Sequence, residues 1–553
     1  MNTAQPPKNP SFLDRPVGLI GAGVMGLGIV QVAALAGHTV LLHDAREGAA
    51  AAARTGLQRT LDGLVAKGRL DAVLAAEALA RVQAVTGLDA LAGCGLVIEA
   101  IVEQLEVKRA LLADLEARVA DDCVLASNTS SLSITALARG LRLPGRVVGM
   151  HFFNPVPLMK LVEVVSGLAT APEVAAAITA LSRAWGKTPV AAASTPGFIV
   201  NRIARPYYAE TLALLHERAA GPAALDACLR GAGFRMGPCE LMDLIGQDTN
   251  FSVTQAVFEA NFADRRYQPS LVQRALVDAG RLGRKSGQGF YAHGHAPAAA
   301  LPPSIVSAPL SAAQASQPVT VHGHGPLADH LAQRVAAAGW PVRPAATGGP
   351  LDTGTGTRIQ AGDTADAGHA GEPAPGAIGL TWPDHALWIT DGRCATERAA
   401  LAGAPACLAV LDLPIDPRAQ PGAGVALAFA LPDQLQGPER AAWADEVAAR
   451  LQALGWAPVP LDDAPGLVVA RTVAMLVNEA CDAVQQGVCD EAGADAAMKL
   501  GVNWPAGPFE WLAAWGAAPV VAVLDALALF TRGERYRASP RLRRSAWQGQ
   551  LAR

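Results

Sequence analysis

Short apolar runs alternate with longer helical periodicities over the first third of the chain. Val17–Ile20 (VGLI) is a run of the kind that forms a strand buried on both faces. The next stretch stays apolar to Ala36 and stops at Gly37, which predicts a helix, and Thr39–His43 predicts a second strand. Val124–Ile134 (VLASNTSSLSI) opens from a strand-like run into a cluster of hydroxyl and amide side chains. Val147–Val165 (VVGMHFFNPVPLMKLVEVV) sets two apolar runs on either side of an Asn-Pro-Val-Pro turn. From Pro196 the spacing becomes helical, and GPCELMDLIG starts a new helix with Pro238 near its first turn. Two apolar helices of this length cannot bury their faces alone, so they must pack on later helices or on a partner chain.

The first two predicted strands frame a GxGxxG loop of Gly21, Gly23 and Gly26, with Asp44 at the end of the second strand. Gly21 makes the tight turn, Gly23 lets backbone approach a pyrophosphate, and Gly26 lets helix pack on strand. A lone GxGxxG is often an ordinary glycine turn. Here strand, loop, helix, strand and acid follow in order, which is the context of an α/β dinucleotide-binding unit of the Rossmann type. Asp44 can accept the adenosine ribose hydroxyls and would repel a 2′-phosphate, which favours NAD over NADP; Arg46, two residues on, softens that preference. His151 and Glu163 lie on opposite sides of the later turn, and a strand-turn-strand would bring them together. A His held by a carboxylate is a competent general base. Read from the residues alone, a buried His satisfied by backbone is an equal alternative, and Glu163 reads as a surface charge on a strand.

Composition narrows the partners. The 553 residues are 51% hydrophobic and 17% charged, enough for several cores and unlike a disordered chain. A net charge of −4 gives no basic footprint for nucleic acid. Eight scattered Cys form no CxxC pair, so no metal site or disulfide framework is expected and a reducing compartment fits. The N-terminus has no apolar signal region and no stretch reaches membrane-spanning length, so a cytoplasmic protein without membrane contact is expected.

Seven motifs, GAGVMGLGI, IVEQLEVK, SNTSSL, HFFNPVPLMKLVEVV, TPGFIVNR, GPCELMDLIG and GRKSGQGFY, stand in the order and spacing of L-3-hydroxyacyl-CoA dehydrogenases. The resemblance runs from about Val17 to Tyr291. It implies that His151 is the catalytic base and Glu163 its partner, that Ser130 and Asn201 hold the substrate's 3-oxygen, and that the cofactor is NAD. It further implies cofactor contacts from Gly21, Gly23, Gly26, Asp44, Glu103, Lys108, Ser130, Asn154 and Lys285. Read without the family, Glu103 and Lys108 would be a solvated helix pair. Arg54–Leu70 looks helical, with Thr60 and Lys67 on one face. The family contacts CoA from a Ser and a Lys there, Thr replaces the Ser here, and an ordinary charged face is the equal alternative; Arg59 and Arg69 add positive charge. The resemblance implies NAD-dependent oxidation of a 3-hydroxyacyl-CoA in fatty-acid or phenylacetate-type catabolism, the long form of the family suggesting 3-hydroxyadipyl-CoA or 3-hydroxybutyryl-CoA. A non-catalytic NAD- or acyl-CoA-binding protein is the alternative, disfavoured by the intact base, since a binder needs none.

PGFIVNR (196–202) returns as PGLVVAR (465–471), 269 residues later, with Ala470 in the place of Asn201. After an Ala-, Pro- and Ser-rich linker (293–319), a worn second dinucleotide unit keeps Gly323 and Gly325 but has Ala328 for the third Gly and Ala346 where an acid would stand. Residues 347–378 read as a loop. GVALAFALP echoes GMHFFNP, which aligns Ala428 with the His and Leu431 with the Asn. Duplication of a two-domain unit follows: a Rossmann domain (12–195), an all-α domain (196–300), a degenerate Rossmann-like domain (319–462) and a second all-α domain (463–553). The second half is expected to be catalytically silent and to dock its helices on the first, in place of a dimer partner, while further homo-oligomer formation stays open.

Overall fold

The computed structural model describes residues 14–294, 308–343, 351–352, 358–359, 377–402, 408–415 and 424–551. Ala346, linker residues 295–307 and most of 347–378 lie outside them. The chain divides into two compact units, Met1–Arg202 with Ala483–Val502, and Ile203–Asp482 with Asn503–Arg553. A segment of the second helical module thus belongs with the first sheet.

The first unit is built on an eight-stranded sheet, β1 (Val17–Ile20), β2 (Val40–His43), β3 (Val82–Ala84), β4 (Leu96–Glu99), β5 (Val124–Ser127), β6 (Val147–Phe152), β7 (Leu161–Ser166) and β8 (Thr188–Ala193). Their order is β3-β2-β1-β4-β5-β6-β7-β8. Every pair is parallel except β6 with β7. Helices cover both faces, so β1, β4, β5 and β6 are buried throughout, as their unbroken apolar runs require. The strand order reverses between β1 and β4, and there the glycine loop opens into the Val24–Leu35 helix. The Glu491–Gly501 helix lies against β7 and β8, and Ala193 N–H donates to Val488 O at 2.8 Å.

The second unit carries a seven-stranded sheet: β9 (Val319–His322), β10 (Val342–Arg343), β13 (Gly379–Thr381), β14 (Ala386–Ile389), β15 (Leu408–Leu411), β16 (Val425–Ala430) and β17 (Trp456–Leu461), in the order β10-β9-β13-β14-β15-β16-β17. A separate pair, β11 (Leu351–Asp352) with β12 (Arg358–Ile359), interrupts the expected loop. The same contacts recur in this unit: the Pro222–Gly231 helix packs on β16, and Asp462 N–H donates to Ala219 O at 3.0 Å.

The helical modules meet through a reciprocal exchange of buried ions. Glu210 Oε1 accepts from Arg535 at 2.8 Å, and its Oε2 accepts from Arg471 Nε at 2.9 Å and from the Tyr536 hydroxyl at 3.0 Å. At positions 269 residues on, Glu479 accepts from the Tyr267 hydroxyl at 2.6 Å and from Arg266 at 3.3 Å, and Asp482 accepts from Arg266 too. Burial raises the Glu210 carboxyl, but Arg535 and Arg471 outweigh it and hold the group below the ordinary range. Each Glu reaches the other module's Arg-Tyr turn, the pattern of an isologous interface.

Candidate active site

The register of β6 against β7 sets His151 directly opposite Glu163. Both are buried, His151 at 6% exposure and Glu163 at 0%. His151 Nδ1 lies 2.5 Å from Glu163 Oε2. The other carboxylate oxygen accepts the N–H groups of Ile199 at 3.0 Å and Val200 at 2.9 Å. Those amides open the helix after the Pro196–Gly197 joint, where Gly197 and Phe198 both take positive φ, 77° and 46°. Glu163 is therefore a helix cap and a His partner at once, not a surface charge. The His151 ring is flanked by Phe153 and Phe198, with centroids 4.5 and 5.9 Å away.

The hydroxyl-rich cluster after β5 is organised by Glu103. Its Oε1 accepts from the Thr129 hydroxyl (2.6 Å), Ser130 N–H (2.9 Å), Ser131 N–H (3.2 Å) and the Ser131 hydroxyl (3.0 Å). Burial raises the Glu103 carboxyl, but the Thr129 hydroxyl, Lys108 and the Ser130 N–H together bring it below its ordinary value. Asn201 Nδ2 donates to Ser130 O at 3.3 Å, so these two predicted site residues do meet. Lys108 departs from both sequence readings. It is neither solvated nor open to a cofactor, being 1% exposed with Nζ 2.8 Å from Glu99 and 3.2 Å from Glu103. A buried charge needs partners, and Glu99, which also accepts from the Ser127 hydroxyl, supplies one. Glu99 and Asn128, whose Oδ1 accepts Phe152 N–H at 2.9 Å, escaped the sequence reading. An acid ending a fully buried strand was the available signal.

At the glycine loop, a Cβ on Gly26 would stand 1.8 Å from Gly21 O, and one on Gly21 (φ 106°) 2.5 Å from Ala100 O, whereas Gly23 faces open space. Gly23 is also the N-cap of the Val24–Leu35 helix, so no side chain covers that helix terminus. This cradle fits a dinucleotide phosphate. Asp44 Oδ2 accepts Ala22 N–H at 2.8 Å, while Arg46 pairs with Asp44 through Nε at 3.0 Å. The Arg46 side chain holds the Asp44 carboxyl well below the usual range. Thr60 and Lys67 are exposed, but the helix spans Ala49–Ala66, so Lys67 follows its last residue and Thr60 Oγ1 donates to Gly56 O at 3.0 Å. Asn154 is exposed, and in the second unit Lys285 pairs with Asp248 at 2.5 Å.

Comparison with known proteins gives the family. Residues 16–195 match the 3-hydroxyacyl-CoA dehydrogenase NAD-binding domain and residues 197–293 and 466–553 the 3-hydroxyacyl-CoA dehydrogenase C-terminal domain, and residues 387–465 match a 3-hydroxybutyryl-CoA dehydrogenase reduced Rossmann-fold domain. The chain is 41% identical over 532 residues to 3-hydroxyadipyl-CoA dehydrogenase of Escherichia coli, covering 96% of this chain and 97% of that one. The chain belongs to the 3-hydroxyacyl-CoA dehydrogenase family. A crystal structure of 3-hydroxybutyryl-CoA dehydrogenase from E. coli K12 superposes with a TM-score of 0.80 at 39% identity, over 98% of this chain and 99% of that one. The mitochondrial hydroxyacyl-coenzyme A dehydrogenase of Sus scrofa is 39% identical over 287 residues, 51% of this chain and 91% of that one.

The dehydrogenase is thus an NAD-dependent enzyme whose first half carries the described site, and its second half corrects the expected alignment. In that half β15 and β16 take the places of β6 and β7. Leu411 pairs with Phe429, and Asp412 N–H donates to Ala428 O at 2.9 Å, so Asp412 stands opposite Ala428. Ala428 pairs onward with Val459, as Glu163 pairs with Val190. Ala428 therefore holds the Glu163 place and Asp412 the His151 place, while Leu431 follows β16 and not the turn after the His place. The text GVALAFALP misled because it matches one apolar strand to its neighbour, and only strand pairing separates the two. Asp412 accepts the N–H groups of Val468 (3.0 Å), Val469 (2.7 Å) and Ala470 (2.9 Å). Burial pushes its carboxyl up to about 6.

Proposed function

We propose that His151 is the general base for oxidation of the 3-hydroxyl of an L-3-hydroxyacyl-CoA, with Glu163 orienting its ring and Ser130 and Asn201 holding the 3-oxygen. The observation that carries this reading is the 2.5 Å contact between His151 Nδ1 and Glu163 Oε2. A carboxylate on Nδ1 keeps the ring proton there and leaves Nε2 with its lone pair. Nε2 then takes the hydroxyl proton, and Glu163 stabilises the cation that forms on the ring. NAD⁺, when bound, supplies the acceptor for the hydride that leaves C3. The Gly21–Gly26 loop, Asp44, Glu103, Ser130, Asn154 and Lys285 would hold the cofactor, and Lys108 acts on it only through Glu103. Thr60 and Lys67 are assigned to the CoA end by the family resemblance and by their exposure.

The substrates favoured are 3-hydroxyadipyl-CoA and 3-hydroxybutyryl-CoA, after the relatives' names. We also assign the second half a scaffolding role in place of a dimer partner, supported by the exchange between Glu210 and Arg535 and between Glu479 and Arg266. The buried free cysteines among the described residues support a reducing, cytoplasmic setting. The test is NADH absorbance on a panel of 3-hydroxyacyl-CoAs, including a dicarboxylic one, for the native chain and His151→Ala. Turnover should fall 10²–10⁴-fold in the variant while NAD still binds; near-normal turnover would sink the assignment.

A further inference from the structure

We infer that Gly501, in the second half of the chain, is a positioning residue for the catalytic pair in the first half. The inference rests on the assignment of His151 and Glu163 above. Gly501 is the last residue of the Glu491–Gly501 helix, which lies on β7 and β8 within the first compact unit. Its φ is not positive, so a side chain there meets no backbone strain and the only question is space.

Space is short, and in one direction only. A Cβ at Gly501 would stand 2.7 Å from Leu161 Cδ2, 3.1 Å from Val200 Cγ2 and 3.7 Å from Phe153 Cε1. Carbon atoms prefer separations of about 3.5–4.0 Å, so the first two contacts force a shift. All three neighbours lead to the pair. Leu161 is two residues before Glu163 on β7 and so shares its face. Val200 donates its N–H to Glu163 Oε1. The Phe153 ring lies tilted against that of His151, with centroids 4.5 Å apart. The missing side chain at Gly501 therefore lets the helix press on the strand, the cap and the ring that hold one short hydrogen bond in line. A misplacement of about 1 Å at such a site can cost ~10²-fold in rate.

Gly493, at the other end of the same helix, separates this role from mere docking. A Cβ there would meet Asp490 Oδ1 at 2.7 Å and Val190 Cγ1 at 2.9 Å, and so reaches Glu163 through its β8 strand partner alone, meeting neither Val200 of the cap nor the Phe153 ring. In the full-length chain, Gly501→Ala should lower kcat about 10–100-fold while the substrate KM and the NAD affinity, read by fluorescence titration, stay within about twofold. Gly493→Ala should keep kcat within about threefold. Leu161→Val, which removes the nearest atom, should restore most of the lost kcat to Gly501→Ala. Three results overturn the inference: native kcat in Gly501→Ala, an equal loss in Gly493→Ala, or no rescue by Leu161→Val. Should Gly501→Ala not fold, the double variant decides, since the inference requires it to be folded and active. An active His151→Ala would overturn the site reading with this inference, whereas an inactive His151→Ala beside a fully active Gly501→Ala would overturn this inference alone.

Discussion

Glu163→Gln separates the two jobs of one carboxylate. Glu163 Oε1 accepts two backbone N–H groups, and Oε2 faces His151 Nδ1 at 2.5 Å. A Gln can be placed two ways. With its amide nitrogen toward Ile199 and Val200, both buried N–H groups lose their acceptor, at about 1–3 kcal/mol each. With its oxygen toward them, the amide nitrogen faces His151 and donates to Nδ1. The second placement wins, because it keeps the cap and requires only that the ring proton move to Nε2. The nitrogen assigned to the substrate is then a donor and cannot act as a base. An acid-to-amide change that inverts the tautomer of a catalytic His costs ~10⁴-fold in kcat, so a loss of 10³–10⁴-fold, about 4–5.5 kcal/mol of barrier, is expected here. Stability should scarcely move, by less than about 1 kcal/mol, since the cap survives. Glu163→Ala removes cap and partner together and should lose about 2–6 kcal/mol for the two orphaned amides besides its activity. The assays are NADH formation at saturating substrate and urea unfolding of both variants. Retention of a tenth of native kcat by Glu163→Gln, or equal destabilisation by Gln and Ala, would refute the reasoning.

Three further outcomes follow from buried acids in the second unit. Glu210→Ala leaves Arg471, 1% exposed, and Arg535 without their shared carboxylate, and should cost about 3–5 kcal/mol in urea unfolding, as should Glu479→Ala at the reciprocal position; losses below about 1 kcal/mol in both would remove the exchange from the account of stability. Because Glu210 is held below the ordinary range, its contribution is present above about pH 4.3 and is lost as the pH falls through its folded value, a loss that the Ala variant should not show. Asp412, pushed up to about 6, runs the other way: its contribution is complete below about pH 3.9 and is lost as the pH rises through about 6. Asp412→Asn should therefore gain on the native chain between those values in pH-dependent thermal melts, with kcat unchanged; a pH-independent difference would refute the burial argument.

The parts legible in the sequence were those whose geometry is local. The glycine loop and its flanking strands follow from periodicity, and the His151–Glu163 pairing follows from a hairpin short enough to fix its own register. Lys108 was misread because its helix shows ordinary amphipathic spacing, while its burial is decided by Glu99, nine residues earlier on a different element. Asp412 was missed for a related reason, since the rank of a strand within a sheet is a long-range fact and apolar strands resemble one another in text. The repeat of 269 residues was plain, yet not that Glu210 and Glu479 would each find the other module's arginine, nor that residues 483–502 would join the first sheet. A period reports ancestry of segments and is silent on which copy a helix packs against.

The two joints explain what duplication could and could not shed. Gly466 and Leu467 repeat the positive φ values of Gly197 and Phe198, at 72° and 51°. Each joint opens a helix whose first N–H groups are buried and need an acceptor. In the first half the acceptor is Glu163, which has a second oxygen left for His151. In the second half Asp412, standing in the place of His151, reaches the equivalent amides itself from the neighbouring strand. The residue that caps the helix has thereby displaced the base, and the place of Glu163 is free to hold Ala428. Restoring a base at position 412 alone would strand three buried N–H groups and set an imidazole against a helix N-terminus, which disfavours its protonated form. Both positions would have to change together, so the fold's need for a cap is what keeps the second site from returning by single steps.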